Sequence, residues 1–294
     1  MTSNTVADAP ANGAQTPPLT RRTLVMGIVN VTPDSFSDGG RWFDADVAIG
    51  HAKDLVAAGA DMLDIGAEST RPGYSPVAPD EQIRRLLPVL KGLTDTGVPL
   101  SVDTMSADVA NAAVAAGATI INDVSGGLCD PAILPGVAAA GVDYICQLWT
   151  GWPSHHARMP EPWTQTRDEL LWRRDACLDA GIAADHIVLD PGLGFGKQPE
   201  ENWQILRNLL AFAQLGHRVL IGASRKRFLT DVTGPIPFGE RDCAGAAITA
   251  WCAQQGIWAV RVHNVTPHRQ TIDVMDRLIP DVTSPSQIAF QEVS

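Results

Sequence analysis

Short apolar runs recur along this chain, and each one ends on polar or charged residues that a sheet core does not need. The residues at these ends are Asn30, Asp103, Asn122, Asp190, Ser224-Arg225-Lys226 and His263, with Arg261 inside the last run. In parallel α/β folds the carboxyl ends of the strands form the mouth of the active site. The pattern therefore predicts that residues far apart in sequence gather around one cleft.

The apolar runs are separated by helical stretches of small residues that end in a glycine. These glycines are Gly59, Gly117, Gly141, Gly181, Gly216 and Gly256. A glycine just past a helix accepts the left-handed conformation that ends the helix and returns the chain to a strand. Apolar spacing of about 3.6 residues predicts helices over 47–58, 80–93, 107–116 and 203–212. Pro199 and Asp242 suit helix N-termini.

This alternation predicts eight strands, at 24–30, 61–66, 98–103, 118–123, 142–148, 186–190, 218–223 and 257–263. Eight strand–helix units in one chain fit a single-domain α/β fold, the closed TIM (β/α)8 barrel. An open, doubly wound sheet is the alternative, and it would favour a dinucleotide-binding fingerprint after the first strand. Residues 30–40 do not contain that fingerprint, so the barrel is favoured.

The composition of the chain limits the extent of the domain, its possible partners and its cellular compartment. Residues 1–20 lack an apolar core, which predicts a disordered leader rather than a secretory signal; the barrel is expected over 21–280 and a loose tail over 281–294. A net charge of −11 at pH 7 opposes binding to nucleic acid or to anionic membranes, and the apolar runs are too short to cross a bilayer. The five scattered cysteines, without a CxxC pair, favour reduced thiols in the cytoplasm over disulfides or a zinc site.

Seven separated motifs carry a resemblance to a known family. They lie at 27–38, 68–73, 101–104, 121–124, 190–197, 222–226 and 261–263. From about residue 24 to about residue 275 the chain resembles dihydropteroate synthase, with the motifs in the family's order. The resemblance implies a TIM-barrel transferase that condenses 6-hydroxymethyl-7,8-dihydropterin pyrophosphate with p-aminobenzoate. The products would be 7,8-dihydropteroate and pyrophosphate, in folate biosynthesis.

The residues that end the middle strands suit a pterin ring. A pterin edge carries N–H donors beside a carbonyl, so Asp103 and Asp190 can accept hydrogen bonds while the amide of Asn122 donates and accepts. Without the other motifs, helix capping by these Asp and Asn side chains is the alternative. The resemblance implies that all three bind the pterin together with Lys226, whereas a solvated basic turn is the other interpretation of 225–227.

Arg261 and His263 lie two residues apart on one strand, so both side chains point to the same face. Buried cations need partners, and pyrophosphate oxygens provide them. The resemblance implies a pyrophosphate site made of Asn30, Thr70, Arg71, Arg261 and His263. It also implies that Asn30 binds Mg²⁺, an ion that prefers oxygen ligands and enters with phosphates. The alternative for this Asn is opening the turn at 32–33.

The resemblance further implies a pocket for p-aminobenzoate. Its residues would be Phe36, Thr70, Phe195, Ser224 and Arg225. Loops 32–40 and 69–75, which are rich in Pro, Gly, Ser and Asp, would close over the bound ligands. Lys226, Arg261 and His263 are the residues expected to act in catalysis, and the family implies a homodimer.

One segment departs from the family pattern. After the fifth strand the family usually has Met-His-Met, whose methionine packs against the pterin, and this chain has Gln147-Leu148-Trp149. Ala67 also stands where a glycine is common in the family. A paralogue that binds pterin or sulfonamide-like ligands with little turnover is therefore the alternative function. A pterin-binding methyltransferase domain working with a corrinoid is a third interpretation, although that use normally requires partner domains.

Overall fold

The strands of the chain form a closed parallel barrel. The computed structural model describes residues 22–32, 45–68, 76–149 and 159–279, and the predicted leader, C-terminal tail and nearly all of the two predicted closing loops lie outside these ranges. The strands are β1 (Leu24–Asn30), β2 (Met62–Gly66), β3 (Leu100–Asp103), β4 (Ile120–Asp123), β5 (Asp143–Gln147), β6 (Ile187–Asp190), β7 (Arg218–Ile221) and β8 (Ala259–Val262). They follow one another around the barrel, and β1 pairs with β8 to close it. This closure confirms the predicted barrel and excludes the open sheet.

Helices follow the strands and cover the outside of the barrel. They are α1 (Ala45–Ala57), α2 (Pro79–Leu93), α3 (Ala107–Ala115), α4 (Ile133–Ala140), α5 (Pro162–Asp179), α6 (Pro199–Arg207), α7 (Leu209–Ala213), α8 (Thr230–Thr233), α9 (Asp242–Gln254) and α10 (Val265–Leu278). Within the described ranges, none of them has the length and apolar character needed to cross a bilayer.

The prediction of one helix over 203–212 is wrong at its centre, because α6 ends and α7 begins on either side of Asn208. The side-chain amide of Asn208 donates to the carbonyl oxygen of Gln204 at 2.8 Å, which satisfies a carbonyl that the interrupted helix leaves open. The expected N-termini at Pro199 and Asp242 are confirmed. The first of them is fixed by a capping box, in which the backbone N–H of Gln198 donates to the Glu201 carboxylate at 2.7 Å.

The strands are apolar on both faces, and the barrel therefore has an inner and an outer apolar layer. The inner layer consists of Met26, Met62, Ile120, Ile145, Val188, Leu220, Trp258 and Ala259. Because side chains alternate along a strand, the residues two positions further on face the interior at the carboxyl end. For the inner-layer residues other than Trp258, which precedes β8, these are Ile28, Asp64, Asn122, Gln147, Asp190, Gly222 and Arg261. Five of these seven are polar or charged. A polar mouth thus lies directly on an apolar floor.

An ion pair holds the opposite, amino end of the barrel. Arg218 of β7 donates to both carboxylate oxygens of Asp143 of β5, at 2.7 and 2.8 Å. The same guanidinium lies 5.0 Å from the ring centre of Trp258, just before β8. One side chain therefore ties three strand starts together, on the side of the barrel away from the polar mouth.

We expect Gly192→Ala, in the loop after β6, to lower the free energy of unfolding by at least about 3 kcal/mol. Gly192 has φ +66°, and a Cβ there would collide with the carbonyl oxygen of Leu148. Gly216→Ala is the matched control, since its φ is +80° but nothing lies within 4 Å of the added atom. The control should lose only about 1–2 kcal/mol in urea unfolding, and equal losses would contradict the expectation.

Candidate active site

A fully buried carboxylate, Asp64 of β2, lies at the centre of the polar mouth. It accepts hydrogen bonds from the Ser101 hydroxyl at 2.6 Å and from the Asn122 amide at 3.0 Å. It also accepts from Nε of Arg261 at 2.5 Å. These donors belong to β3, β4 and β8, so one carboxylate orients side chains from three other strands.

The guanidinium of Arg261 is held by a second carboxylate. Its Nη2 donates to Asp103 of β3 at 2.8 Å. Burial raises the pKa of Asp103 well above its ordinary value, and the positive charge of Arg261 opposes that rise. The arginine therefore bridges two acidic side chains and sits at a fixed position in the mouth.

The far side of the mouth carries one carboxylate and two lysines. Asp190 accepts a hydrogen bond from the Gly192 amide at 2.7 Å, and burial raises its pKa to about 6. Burial lowers the pKa values of Lys226 and Lys197 to about 8. The Lys226 ammonium lies 3.9 Å from the ring centre of Phe195, a cation–π distance. These groups are ionised only at a cost, which ligand hydrogen bonds would offset.

The loops after β7 and β8 are joined by a serine and a histidine. The Ser224 hydroxyl lies 3.1 Å from Nδ1 of His263, and the backbone N–H of His263 donates to the same oxygen at 3.2 Å. Arg225, the next residue, has φ +59° and donates twice to Asp242 of α9, at 2.8 and 2.9 Å. The ion pair with Asp242 holds this strained turn.

Two buried polar atoms in the mouth have no hydrogen-bond partner within the described ranges: Oδ1 of Asn122 and Nε2 of Gln147. The side chains of these two residues are 1% and 4% exposed. Buried polar groups are almost always hydrogen-bonded in folded proteins. The mouth therefore presents one free acceptor and one free donor to a ligand.

The sequence matches the family of pterin binding enzymes over residues 26–263. It is 42% identical over 260 residues to the dihydropteroate synthase of Mycobacterium leprae, covering 85% of this chain and 90% of that protein. The chain belongs to the dihydropteroate synthase family. Members of the dihydropteroate synthase family are transferases of folate biosynthesis.

Solved dihydropteroate synthases share the barrel. The Xanthomonas albilineans dihydropteroate synthase with 4-aminobenzoic acid is 40% identical with a TM-score of 0.83, covering 89% of this chain and 95% of that chain. The structure of that bacterium's enzyme in complex with 7,8-dihydropteroate is 37% identical with a TM-score of 0.80, covering 89% and 96%.

The dihydropteroate synthase site residues predicted from the sequence fall into two groups. Those that the structure describes lie at the carboxyl ends of strands or in the loops that follow: Asn30, Asp103, Asn122, Asp190, Phe195, Ser224, Arg225, Lys226, Arg261 and His263. Phe36, Thr70 and Arg71 lie outside the described residues. Contacts join Arg261 to Asp103, Ser224 to His263 and Lys226 to Phe195, whereas Arg225 pairs with Asp242. The ligand assigned to each residue stays a prediction.

Sequence reasoning missed Asp64, the centre of this dihydropteroate synthase mouth. The residue lies inside the apolar run at 61–65 rather than at its end, so it did not fit the pattern of polar strand ends. The alternation of side chains along β2 could have revealed it. Asp64 is two residues beyond Met62, and alternation along the strand puts both on the inner face.

We expect Asp64→Asn to lower the free energy of unfolding by about 3 kcal/mol, because it leaves the Arg261 charge with one carboxylate partner instead of two. Ser101→Ala is the matched control, since it removes a single neutral donor from the same carboxylate. The control should cost about 1 kcal/mol. Urea unfolding of both variants measures the difference, and similar losses would show that the Asp64 charge is not what holds the network.

We expect Asp190→Asn to be more stable than the unmodified protein by about 2 kcal/mol at about pH 7. The folded pKa of about 6 lies above the usual 3.8, so the folded state binds the extra proton and loses stability as pH rises through about 6. The advantage of the variant should shrink as pH falls toward about 4.5.

Asp242→Asn is the control for the direction of this pH dependence. Although burial opposes it, the hydrogen bonds from Arg225 lower the pKa of Asp242, so its charge stabilises the folded state at neutral pH. This variant should lose stability near neutral pH, and the loss should shrink as pH falls. The same pH dependence in both variants would refute the assignment of burial as the dominant effect at Asp190.

Proposed function

We propose that the mouth of this barrel condenses 6-hydroxymethyl-7,8-dihydropterin pyrophosphate with p-aminobenzoate to give 7,8-dihydropteroate and pyrophosphate. The observation that carries the proposal is the network around Asp64, which holds Arg261 and Asn122 beside Asp103. This network places hydrogen-bond acceptors for the N–H groups of the pterin ring next to the guanidinium of Arg261, which can bind the leaving pyrophosphate. The relatives with bound 4-aminobenzoic acid, one of these substrates, and with bound 7,8-dihydropteroate, the product, support the same reaction.

The pterin would be held by Asp103, Asn122, Asp190 and Lys226. The amide nitrogen of Asn122 is already bonded to Asp64, so its unpaired Oδ1 is the atom left to accept a pterin N–H. The ionised form of Asp190 is disfavoured by burial, and the ring N–H donors would stabilise it. Lys226 would donate to an acceptor on the ring.

The pyrophosphate would be held by Asn30, Arg261 and His263, with Thr70 and Arg71 from the loop outside the described residues. The hydrogen bonds to Asp64 and Asp103 leave the guanidinium of Arg261 with further N–H groups for phosphate oxygens. These bonds also fix its position before the substrate arrives, which lowers the cost of binding.

Magnesium is the cofactor of this proposal, and Asn30 would hold it through its side-chain oxygen. Asn30 ends β1 and faces the mouth. Within the described ranges no group of three His, Cys, Asp or Glu side chains could hold a metal ion. A single amide oxygen at Asn30 fits an ion that takes its other ligands from substrate phosphates and water. When bound, the ion would neutralise charge on the leaving group.

The p-aminobenzoate would lie against Phe195 and Ser224, with Arg225, Phe36 and Thr70 completing the pocket. Lys226 lies over the Phe195 ring and so adjoins both the pterin side and the p-aminobenzoate side. The guanidinium of Arg225 is committed to Asp242. Its contribution to the pocket would therefore be to shape the turn that carries Ser224 and Lys226.

Catalysis would depend on position and charge. The C–O bond of the exocyclic methylene breaks, and pyrophosphate leaves with the electron pair beside Arg261 and His263. The cation spreads into the pterin ring held by Lys226 and its neighbours, and the amine of p-aminobenzoate attacks it and releases a proton. This scheme needs no protein nucleophile, because oriented substrates and a stabilised leaving group lower the barrier.

The enzyme would act in the cytoplasm as a homodimer. Trp251 of α9 and Val274 and Leu278 of α10 are exposed apolar side chains on two helices that pack together, and they would lie in the dimer contact. Ile248, another apolar residue of α9, is buried in the core and does not belong to this surface.

The experiment that tests the proposal is a turnover assay with the pterin pyrophosphate. We expect pyrophosphate release that requires both Mg²⁺ and p-aminobenzoate. Arg261→Met should lower kcat by about a hundredfold, because the leaving group loses a positioned cation. Pterin binding without pyrophosphate release would indicate the paralogue, and methyl transfer from a methylated folate would indicate the corrinoid-linked domain.

A further inference from the structure

We propose that Gln147 is a specificity-determining residue for the pterin, and that its side-chain amide donates a hydrogen bond to an acceptor on the polar edge of the ring. The inference rests on the proposed function, because it takes the pterin to be the ligand of the mouth. It adds a residue to the four that the resemblance assigns to the ring. It also gives this chain a ring contact that a methionine at the same position could not make.

The position of Gln147 follows from the register of the barrel. It is the last residue of β5, and Ile145 two residues earlier belongs to the inner apolar layer, so Gln147 faces the interior. On one side it pairs in register with Asp190 of β6. On the other side, Asn122 of β4 pairs with Ile145. Gln147 therefore lies between two strands that carry residues of the pterin site.

The amide of Gln147 needs a partner from outside the described residues. The residue is 4% exposed, and its Nε2 has no hydrogen-bond partner in the described ranges. Oδ1 of Asn122, on the adjacent strand β4, is buried and unpaired as well. One atom is a donor and the other an acceptor. Together they match a ligand edge with an acceptor beside a donor, which is the pattern of a pterin.

The backbone around Gln147 is held from both sides, which fixes the point on the rim from which its side chain extends. The N–H of Leu148 donates to the carbonyl oxygen of Asp190 at 2.8 Å. The carbonyl oxygen of Gln147 lies against Gly126, where an added Cβ would be 2.8 Å away. The loop after β6 packs just as closely on the next residue, because an added Cβ at Gly192 would collide with the carbonyl oxygen of Leu148. Because this backbone is held in place and the side chain is already buried, ordering the donor costs less entropy when a ligand binds.

The test pairs a protein change with a ligand change. Gln147→Met keeps the length of the side chain and removes the N–H donor. Calorimetry would give the affinities of the unmodified protein and of the variant for 6-hydroxymethylpterin and for analogues that each lack one ring acceptor. We expect one acceptor whose removal weakens binding to the unmodified protein by about tenfold and leaves binding to the variant almost unchanged.

A second measurement separates recognition from a structural role. Without ligand, Gln147→Met should unfold at the same temperature as the unmodified protein or higher, because it replaces an unpaired buried donor by an apolar group. Gln82→Met is the matched control. Gln82 is also buried, but its Nε2 donates to the Val77 carbonyl at 2.9 Å and to Glu68 at 3.3 Å. The control should unfold at a lower temperature and keep the acceptor preference.

Each other outcome is decisive. If every analogue loses the same affinity for the unmodified protein and for Gln147→Met, Gln147 does not read the ring and the inference fails while the proposed function stands. A marked fall in the unfolding temperature of Gln147→Met would assign the residue a structural role and also overturn the inference. If the unmodified protein binds no pterin, both the inference and the proposed function fail.

Discussion

A carboxylate buried in a barrel is stable only if other strands bring donors to it, and Asp64 depends on three of them. Removing a carboxylate from water costs several kcal/mol, about as much as a small domain can tolerate, and good hydrogen bonds must offset it. Arg261 supplies one of those bonds from 197 residues away in the sequence. The Asp64 network is complete only when β8 is paired with β1, so the geometry of the site depends on the closed barrel.

The other ionisable side chains of the mouth are buried, and burial disfavours their charged forms. Burial raises the pKa of Asp190 to about 6 and lowers the pKa of Lys226 to about 8. Both side chains are therefore more easily converted to their uncharged forms than they are in water. Groups in this condition gain most from a ligand that hydrogen-bonds to them. A charged, multiply hydrogen-bonding heterocycle is the kind of ligand that such a site favours over an apolar one.

The sequence predicts the barrel well because the signals are local. Each strand observed lies within its predicted segment, since an apolar run bounded by a glycine and a polar residue needs no distant information. Asp64 could not be assigned from its neighbours, because its role comes from Ser101, Asn122 and Arg261 on other strands. The break at Asn208 was missed for a related reason: apolar spacing continues across it, and only the backbone geometry interrupts the helix.

For the site residues as well, the sequence predicts the position in the fold but not the contacts of the side chain. Motif order located the described members of the site, but it did not indicate where each side chain points. Arg225 follows the motif and yet directs its guanidinium to α9, because Asp242 offers a bidentate partner there. Gln147 could be recognised from the sequence as a departure, and only its burial shows that a donor has been left open.

The ion pair at the amino end of the barrel has a consequence for how such an enzyme can change. Arg218, Asp143 and Trp258 fasten the strand starts without using any residue of the mouth. In TIM barrels that end serves stability while the opposite end carries the chemistry. Exchanges at rim positions outside the Asp64 network, such as Gln147, can therefore accumulate over generations with little loss of stability, and new ligand preferences can arise at little risk to folding.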